Sequence, residues 1–393
     1  MKRTLIALCC LLVAFAAGCA KEETYEAKPL TGIGAIFDES LGYYNEHPSV
    51  IELDGVRYVY YTRNAEKNTV SDTIAVRKGT FADGRWTYGE PRTLLAPSQD
   101  GWDSAHVYAP TVIKGRFRYG GKDYSYLMAY AGNSEEGRTD FSQIGLAVSE
   151  HPDGTFVRLD APFITFDKYD YSIFGTTIVK GASEPSLVSF DCAGKAYLFY
   201  SCHTPSATPS TSRCWEVDFS DLDTIGQRAA DRGLLVNTTG ISDQGSVPSP
   251  KSADWAYDPD ADAFYTVRDY YPAAAVAPTV SEGVQLLKAD RFSALYLTDE
   301  VGRDVTVWQT VRQKIDTIDT ADYESGDESR FAGYERIYSA CLVRTAYGRI
   351  RKTDGRVSVI FTSSASIQTR PDNYTFTPAL HEVSVGDNGE VFV

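Results

Sequence analysis

Short apolar and aromatic segments recur along the chain, and each one follows a turn that contains Gly or Asp. Five segments rich in Tyr, Phe and Val occupy residues 58–62, 126–130, 197–201, 264–267 and 357–362. The first four begin roughly 70 residues apart, and the fifth begins after a longer gap. A shorter apolar segment precedes each turn, and in the first three repeats it opens with Pro48, Pro110 or Pro185. This repetition predicts five units built on β-hairpins.

Further segments supply a third and a fourth strand for these units. Third strands are expected at 73–77, 144–148, 214–219 and 284–289, and fourth strands at 86–88, 156–158 and 234–236. The one stretch that we considered for a helix is 306–318, and the acidic insert at about 316–335 is expected to be a loop. Repeated strand units of this kind favour an all-β fold, a five-bladed β-propeller, over the alternative of two stacked β-sandwiches.

The N-terminus has the pattern of a lipoprotein signal. Basic Lys2 and Arg3 precede an apolar stretch at 5–15, which is too short to span a bilayer, and small residues then lead to Cys19. We expect a signal peptide at 1–18, a lipidated tether at 19–31 and the propeller at 32–393; an ordinary secretory signal is the alternative.

The charged residues after Cys19 bear on where the protein is placed. Residues 20–23, Ala-Lys-Glu-Glu, resemble the surface-export signal of Bacteroidetes lipoproteins, and a soluble tether is the alternative. The expected location is the cell envelope, as an outer-membrane lipoprotein that is periplasmic or exposed at the surface, held by the lipid anchor only.

Charge and cysteine content narrow the possible functions. The formal net charge is −15, which disfavours nucleic acid as a partner because phosphate binding needs a basic surface. Cys202 and Cys214 flank a Ser/Thr/Pro-rich turn, so they are candidates for a disulfide, while Cys192 and Cys341 complete the set beyond the anchor. Cysteine and histidine spacings typical of metal sites are absent from the sequence, so we expect no metal site. The protein is expected to be a monomer.

Several motifs resemble a known enzyme family when they are taken in order. They are Glu-His-Pro-Ser-Val-Ile at 46–51, Tyr-Ala-Pro-Thr-Val at 108–112, Ile-Gly-Leu-Ala-Val-Ser at 144–149 and Glu-Pro-Ser-Leu at 184–187. Together they resemble the five-bladed glycoside hydrolases of family 43 and their relatives over most of residues 32–365. The resemblance implies inverting hydrolysis of glycosides in an axial pocket by a base, a pKa modulator and a general acid. Some relatives hold a central Ca²⁺, but the motif for it is not recognisable here, and no cofactor is expected.

The resemblance also implies which residues carry the chemistry. Where the family has an Asp before Pro in the first blade, this chain has His47, preceded by Glu46. Glu184 keeps the acidic position in the third blade. Asp254 precedes Tyr265 by the same interval by which His47 precedes Tyr58. We therefore assign Asp254 as the general acid, Glu184 as the modulator, and His47 or Glu46 as the base-side residue. The structural alternatives are that Glu184 binds strand-end amides, that Asp254 is a turn residue and that His47 is a hydrogen-bonded core residue.

Other side chains near the expected pocket are candidates for binding a sugar. His106 and Tyr108 begin the second-blade strand, and aromatic rings at Tyr44 and Trp255 suit stacking on a sugar. Arg63 and Arg268, together with Arg344, suit a sugar that carries a carboxylate, because Arg binds carboxylates through paired hydrogen bonds. Ordinary packing and scattered surface arginines are the alternatives.

Three functions remain open at this point. The first is an exported, lipid-anchored glycoside hydrolase. The second is a surface glycan-binding protein without catalysis, which the His47 departure favours. The third is a scaffold, which predicts an axial pocket filled with apolar side chains.

Overall fold

The computed structural model describes most of the chain after residue 43, with gaps between the described segments. These segments are 35–37, 43–67, 69–135, 141–171, 176–203, 211–227, 229–237, 252–270, 283–289, 293–298, 304–310, 312–319, 336–364, 378–387 and 391–392. They are almost entirely β-strands, with a short 3₁₀ helix at Leu222–Gln227. Within these segments no helix is long and apolar enough to cross a membrane.

Antiparallel strands group into five consecutive units, which we call blades 1 to 5. Blade 1 contains β1 (Glu46–Leu53), β2 (Val56–Asn64), β3 (Asp72–Ala82), β4 (Arg85–Tyr88) and β5 (Arg92–Leu95). Blade 2 contains β6 (His106–Tyr119), β7 (Lys122–Asn133), β8 (Gln143–Ser149) and β9 (Val157–Arg158). Blade 3 contains β10 (Asp167–Tyr171), β11 (Thr176–Ser189), β12 (Lys195–His203), β13 (Thr211–Asp218) and β14 (Ala229–Asn237).

Blades 4 and 5 follow the same plan with one insertion. Blade 4 contains β15 (Asp254–Asp258), β16 (Ala263–Tyr270), β17 (Gly283–Ala289) and β20 (Arg312–Asp319). Between its last two strands, β18 (Ser293–Thr298) and β19 (Asp304–Thr310) form a hairpin that pairs through β19 with β14 of blade 3. Blade 5 contains β21 (Arg336–Thr345), β22 (Lys352–Thr353), β23 (Arg356–Ser364), β24 (Ala379–Gly386) and β25 (Val391–Phe392).

Two sequence predictions are wrong in blade 4. The stretch 306–318, considered for a helix, forms β19 and β20. Val-Thr-Val at 305–307, near the start of β19, is a run of three β-branched residues, which favours a strand. Residues 316–319 of the predicted acidic loop belong to β20, and 320–335 lie outside the described residues.

The aromatic segments form the second strand of every blade, as predicted, and their tight turns have the expected geometry. In blade 1 the hairpin turns at Asp54 and Gly55, with φ of 51° and 77°, and in blade 5 it turns at Asp354 and Gly355, with φ of 52° and 75°. Positive φ at both central residues gives the turn a twist that matches the twist of the flanking strands.

Second-strand side chains are buried on both faces because each blade packs between two others. On β2, Tyr58 and Tyr60 join the core shared with blade 2, while Val59 and Tyr61 join the core shared with blade 5. Successive side chains of a strand point to opposite faces. The continuous apolar segments of the sequence are therefore explained by burial of both faces.

The innermost strands lie next to one another in a cyclic order. β1 contacts β6, β6 contacts β11, β11 contacts β15 and β15 contacts β21. β21 in turn pairs with β1 in parallel, with Val343 opposite Val50. The first residues of these five strands therefore surround a common axis.

The cysteine prediction fails because the two candidate residues are not opposite each other. Cys202 is paired with Thr211, and Cys214 with Phe199. Among the described residues, Cys192, Cys202, Cys214 and Cys341 form no disulfide.

Candidate active site

Five residues with left-handed backbone conformation mark the same position near the start of each inner strand. They are His47, Ala109, Glu184, Ser252 and Ser339, with φ between 46° and 53°. None is glycine, although this conformation costs other residues about 1 kcal/mol or more. We call these five the ring residues. Strained backbone conformations cluster at functional sites, so their recurrence at the ring residues makes the ring a candidate functional site.

A bulge in the strand pairing accompanies the ring residues. In blade 1 the regular pairing with β2 is interrupted between Glu46 and Ser49, and blades 2, 3 and 5 have the interruption at the same place. The residue after each ring residue is Pro or Ala, and Pro donates no hydrogen bond to a ladder. Such bulges redirect side chains, here toward the axis.

The ring residues, each with the one or two residues that follow it, line a pocket on the axis. It encloses about 360 Å³, including the part that is open to solvent. Proline and alanine side chains make up half of the lining, and an imidazole, carboxylates and hydroxyls stand among them; the presence of these polar groups disfavours the scaffold hypothesis, which predicts apolar filling.

His47 stands between two tyrosines that immediately precede neighbouring ring residues. Its ring centroid is 5.8 Å from that of Tyr108 and 6.4 Å from that of Tyr338, both in edge contacts. Tyr338 donates a hydrogen bond of 2.8 Å to Glu46 Oε2. The Nδ1 atom of His47 is buried and has no hydrogen-bond partner among the described residues. A buried polar atom of this kind is costly unless a ligand or water satisfies it.

Glu184 lies in the same pocket, two blades from His47. Its charge is felt by Tyr108, whose pKa is raised well above its ordinary value. Burial is the largest cause of that rise; a hydrogen bond with Ser142 opposes it, and the neighbouring charge of Glu184 adds to it. Tyr108 therefore stays neutral beside Glu184, and it stands next to the pocket through its ring contact with His47.

Asp254 is not at the position of His47, because the hairpin of blade 4 is longer. The loop of blade 1 has two residues between the paired Leu53 and Val56, and that of blade 4 has four between Asp258 and Ala263. Counting back from the aromatic strand is therefore off by two residues. Ser252 is the ring residue of blade 4.

The contacts of Asp254 are those of a structural carboxylate. Its Oδ1 accepts a hydrogen bond of 2.7 Å from Ser186 and lies 3.1 Å from Nη1 of Arg344, and its Oδ2 accepts one of 2.9 Å from the backbone N–H of Leu342. Protein donors therefore occupy both oxygens, whereas a general acid needs an oxygen directed at the leaving group of the substrate. Asp254 borders the pocket but holds blades 3, 4 and 5 together.

Arg344 lies between the inner strands, beside the residues that line the pocket, and it is fully buried. Besides Asp254, its guanidinium donates to Ser186 Oγ, to the carbonyls of Leu187 and Trp255, and to Ser49 Oγ and Thr111 Oγ1, at 2.9–3.4 Å. These partners come from the other four blades.

The oxygen atoms of the inner strands already bind the positively charged guanidinium of Arg344. They therefore do not fit a calcium ion on the axis. Within the part of the chain that the structure describes, no three His, Cys, Asp or Glu side chains come together to hold a metal.

Several side chains expected to bind a sugar are buried in the core instead. Trp255 is 1% exposed and stacks on Phe199 with ring centroids 4.6 Å apart. Arg268 is fully buried and donates to Gln285 Oε1 at 2.7 and 3.0 Å. These two residues cannot contact a ligand in this structure.

A second polar cluster, at the junction of blades 1 and 2, holds three more of the expected residues. Tyr44 is 2% exposed and donates to Asp72 Oδ1, whose other oxygen lies 2.9 Å from Nδ1 of the buried His106. Arg63 is half-buried with its guanidinium 3.8 Å from the ring centroid of Tyr43. Of the six side chains, Tyr108 lies closest to the pocket, through its contact with His47.

The sequence analysis missed Ser252, Ser339 and the axial role of Arg344. The Pro that marks the ring position in blades 1 to 3 is Ala253 in blade 4 and Ala340 in blade 5. Since Ala carries no turn signal, only alignment of the bulges in three dimensions identifies these positions.

Several solved structures with a similar arrangement of strands are glycoside hydrolases. No family model and no curated protein matches the sequence. A thermostable family-43 glycoside hydrolase shares 13% identity, with 91% of this chain and 95% of that chain covered and a TM-score of 0.51. The chain is a five-bladed β-propeller.

Two further structures extend this fold likeness. The α-L-arabinofuranosidase from Lactobacillus brevis is 10% identical over 93% of this propeller and 97% of its own chain, with a TM-score of 0.53. A β-xylosidase/α-arabinofuranosidase from a compost microbial metagenome, in complex with xylotriose, is 12% identical over 92% and 97%, with a TM-score of 0.51. At this identity the likeness establishes the fold, and function has to be argued from the pocket.

Proposed function

We propose that this propeller is a glycoside hydrolase that acts in the axial pocket. The observation that carries the proposal is the presence of Glu184 and His47 as ring residues of one pocket, with a buried and unsatisfied Nδ1 on His47. Glycosidase chemistry needs one group that donates a proton and one that accepts a proton. The solved structures with this fold supply the substrate class, a glycoside.

Glu184 and His47 divide the reaction between them. Glu184 takes up a proton from solvent and gives it to the glycosidic oxygen as the bond to the anomeric carbon breaks. His47 takes a proton from the water that attacks that carbon from the opposite face, which inverts its configuration. The reaction consumes one water, and the proton on His47 returns through solvent to Glu184.

Binding without hydrolysis is the second candidate function. It is favoured by Ser252, which places a hydroxyl at the ring position of blade 4, where the resemblance led us to expect an acid. With Asp254 engaged by Arg344, Glu184 is the remaining carboxylate among the described lining residues. Such a pocket would retain a sugar and release no product.

A product assay separates the two functions. The purified protein is incubated with a panel of polysaccharides and aryl glycosides, and released sugars are followed by chromatography. We expect release from one substrate class, and a loss of about 100-fold or more in Glu184→Gln, since general acid–base groups contribute at least that much. Glu150→Gln is the matched control, because Glu150 is exposed and paired with Lys122 on the surface.

Each outcome of the assay has a definite meaning. Full activity in Glu184→Gln would overturn the assignment of the acid. Absence of release by the wild type, together with retention on an immobilised glycan, would establish the binding function instead.

We further propose that the protein is exported and attached to the outer membrane by lipid on Cys19, and that it acts as a monomer. The basic, apolar and small-residue pattern of residues 1–19 supports the anchor. These residues lie outside the described part of the chain. A lipid anchor would hold the propeller near polymeric substrates at the cell envelope.

A further inference from the structure

We infer that the pocket seats a sugar ring with its hydroxyl-bearing edge toward Ser252 and Ser339 and its C–H edge toward Ala109. This makes the two serines specificity-determining residues. The inference rests on the proposed function, because it assumes that a carbohydrate occupies the axial pocket.

The order of the ring residues provides the first step of the argument. Around the axis they follow as His47, Ala109, Glu184, Ser252 and Ser339. Between His47 and Glu184, one side of the ring holds only the methyl group of Ala109. The other side holds the hydroxyl groups of Ser252 and Ser339. A ligand held between the imidazole and the carboxylate therefore meets an apolar contact on one side and hydrogen-bonding groups on the other.

Hydrogen bonds that the backbone donates to the preceding blade fix the backbone position of these ring residues. The backbone N–H of Ser252 donates to Ser201 Oγ at 3.0 Å, and that of Ser339 donates to Asp269 Oδ1 at 2.7 Å. The N–H of Ala109 donates to Thr62 Oγ1 at 3.0 Å.

The acceptor for the Ser339 N–H is the carboxylate of Asp269, whereas Thr62 and Ser201 accept the corresponding hydrogen bonds through a neutral hydroxyl. The Asp269 carboxylate is buried and forms a charge-assisted bond, which is shorter and stronger than a neutral one. Rigid placement of this kind is what discrimination between similar sugars needs.

A sugar presents matching chemistry, with hydroxyls along part of its edge and C–H groups elsewhere. Sites built to hydrogen-bond a hydroxyl reject analogues that lack it, because the polar groups of the site are then left unpaired. The two serines are therefore expected to read hydroxyl groups of the bound ring.

Binding of D-xylose, L-arabinose and D-galactose by calorimetry tests the inference, with the tightest of the three used for the variants. We expect Ser252→Ala and Ser339→Ala each to weaken binding about 3- to 10-fold, the effect of one neutral hydrogen bond. Ser358→Ala is the matched control, since Ser358 pairs with Ser384 away from the pocket, and it should bind as the wild type does. Both pocket variants keep their backbone hydrogen bonds, so their unfolding midpoints should match that of the wild type.

A second arm uses monodeoxy derivatives of the same sugar. Removal of the hydroxyl that a serine contacts should weaken binding to the wild type and have no further effect on the corresponding alanine variant. If the wild type binds the sugar and both serine variants bind it with the same affinity, this inference is overturned and the proposed function is unaffected. Failure of the wild type to bind or hydrolyse any carbohydrate would overturn the proposed function itself.

Discussion

Arg344 joins the inner strands of the whole propeller through one side chain. Its guanidinium reaches Ser49 in blade 1, Thr111 in blade 2, Ser186 in blade 3 and Asp254 in blade 4, while its own strand belongs to blade 5. A planar group with five donors in fixed directions suits this position better than the point charge of a lysine. The sequence singled out Arg344 as a candidate for binding a sugar carboxylate, but its full burial gives it a structural role.

Loss of this guanidinium is expected to be severely destabilising. Arg344→Met leaves Asp254 as a buried carboxylate without its counter-charge, which typically costs about 3–5 kcal/mol. Urea unfolding of the variant and the wild type measures the difference. Arg351→Met is the control, since its ion pair with Glu52 is largely exposed on the arginine side and is worth about 0–1 kcal/mol. Equal stability of the two variants would contradict the axial role of Arg344.

The ring residue of each blade has a left-handed backbone conformation at the level of the pocket. At Ala109 the backbone has φ of 48°, a conformation that costs a residue with a Cβ about 1–2 kcal/mol. We therefore expect Ala109→Gly to be more stable than Ala129→Gly by about that amount, because Ala129 is a buried strand residue with no positive φ. Chemical denaturation of both variants checks this. Equal losses would show that no strain is stored at the ring.

Element by element, the sequence predicted the strands well and the bulges poorly. Aromatic second strands and Asp-Gly turns carry a local signal, so the segments at 58–62 and 357–362 were placed correctly. A bulge changes the register without changing the hydrophobic pattern. Loop length has a similar effect in blade 4. Because its hairpin loop has two extra residues, counting back from the aromatic strand reaches Asp254 and not Ser252, and only the strand pairing reveals the shift.

At the scale of the whole molecule, the repeat and the family resemblance together predicted the fold. Each blade supplies one ring residue, so the chemistry of the pocket depends on five positions that are far apart in sequence. Glu184 and His47 could be predicted because a following Pro marks them. The partners of Tyr44, His106, Trp255 and Arg268 depend on long-range packing, so their burial could not be predicted.

The proposed lipid anchor is also a property of the whole protein, and it has a simple test. Cys19→Ser should remove incorporation of radiolabelled palmitate and release the protein from the membrane fraction into the detergent-free supernatant. Cys10→Ser is the control, because Cys10 lies in the segment expected to be cleaved. Membrane association that persists unchanged in Cys19→Ser would contradict attachment through this residue.

The central claim is that the five ring residues form a carbohydrate site on the axis of the propeller. A crystal structure of the protein soaked with D-xylose, L-arabinose or D-galactose tests it most directly. The account predicts a sugar in the axial pocket, within hydrogen-bonding distance of Glu184 and His47 and with its hydroxyl edge toward Ser252 and Ser339. A sugar bound elsewhere on the protein, with none in the ring, would contradict it.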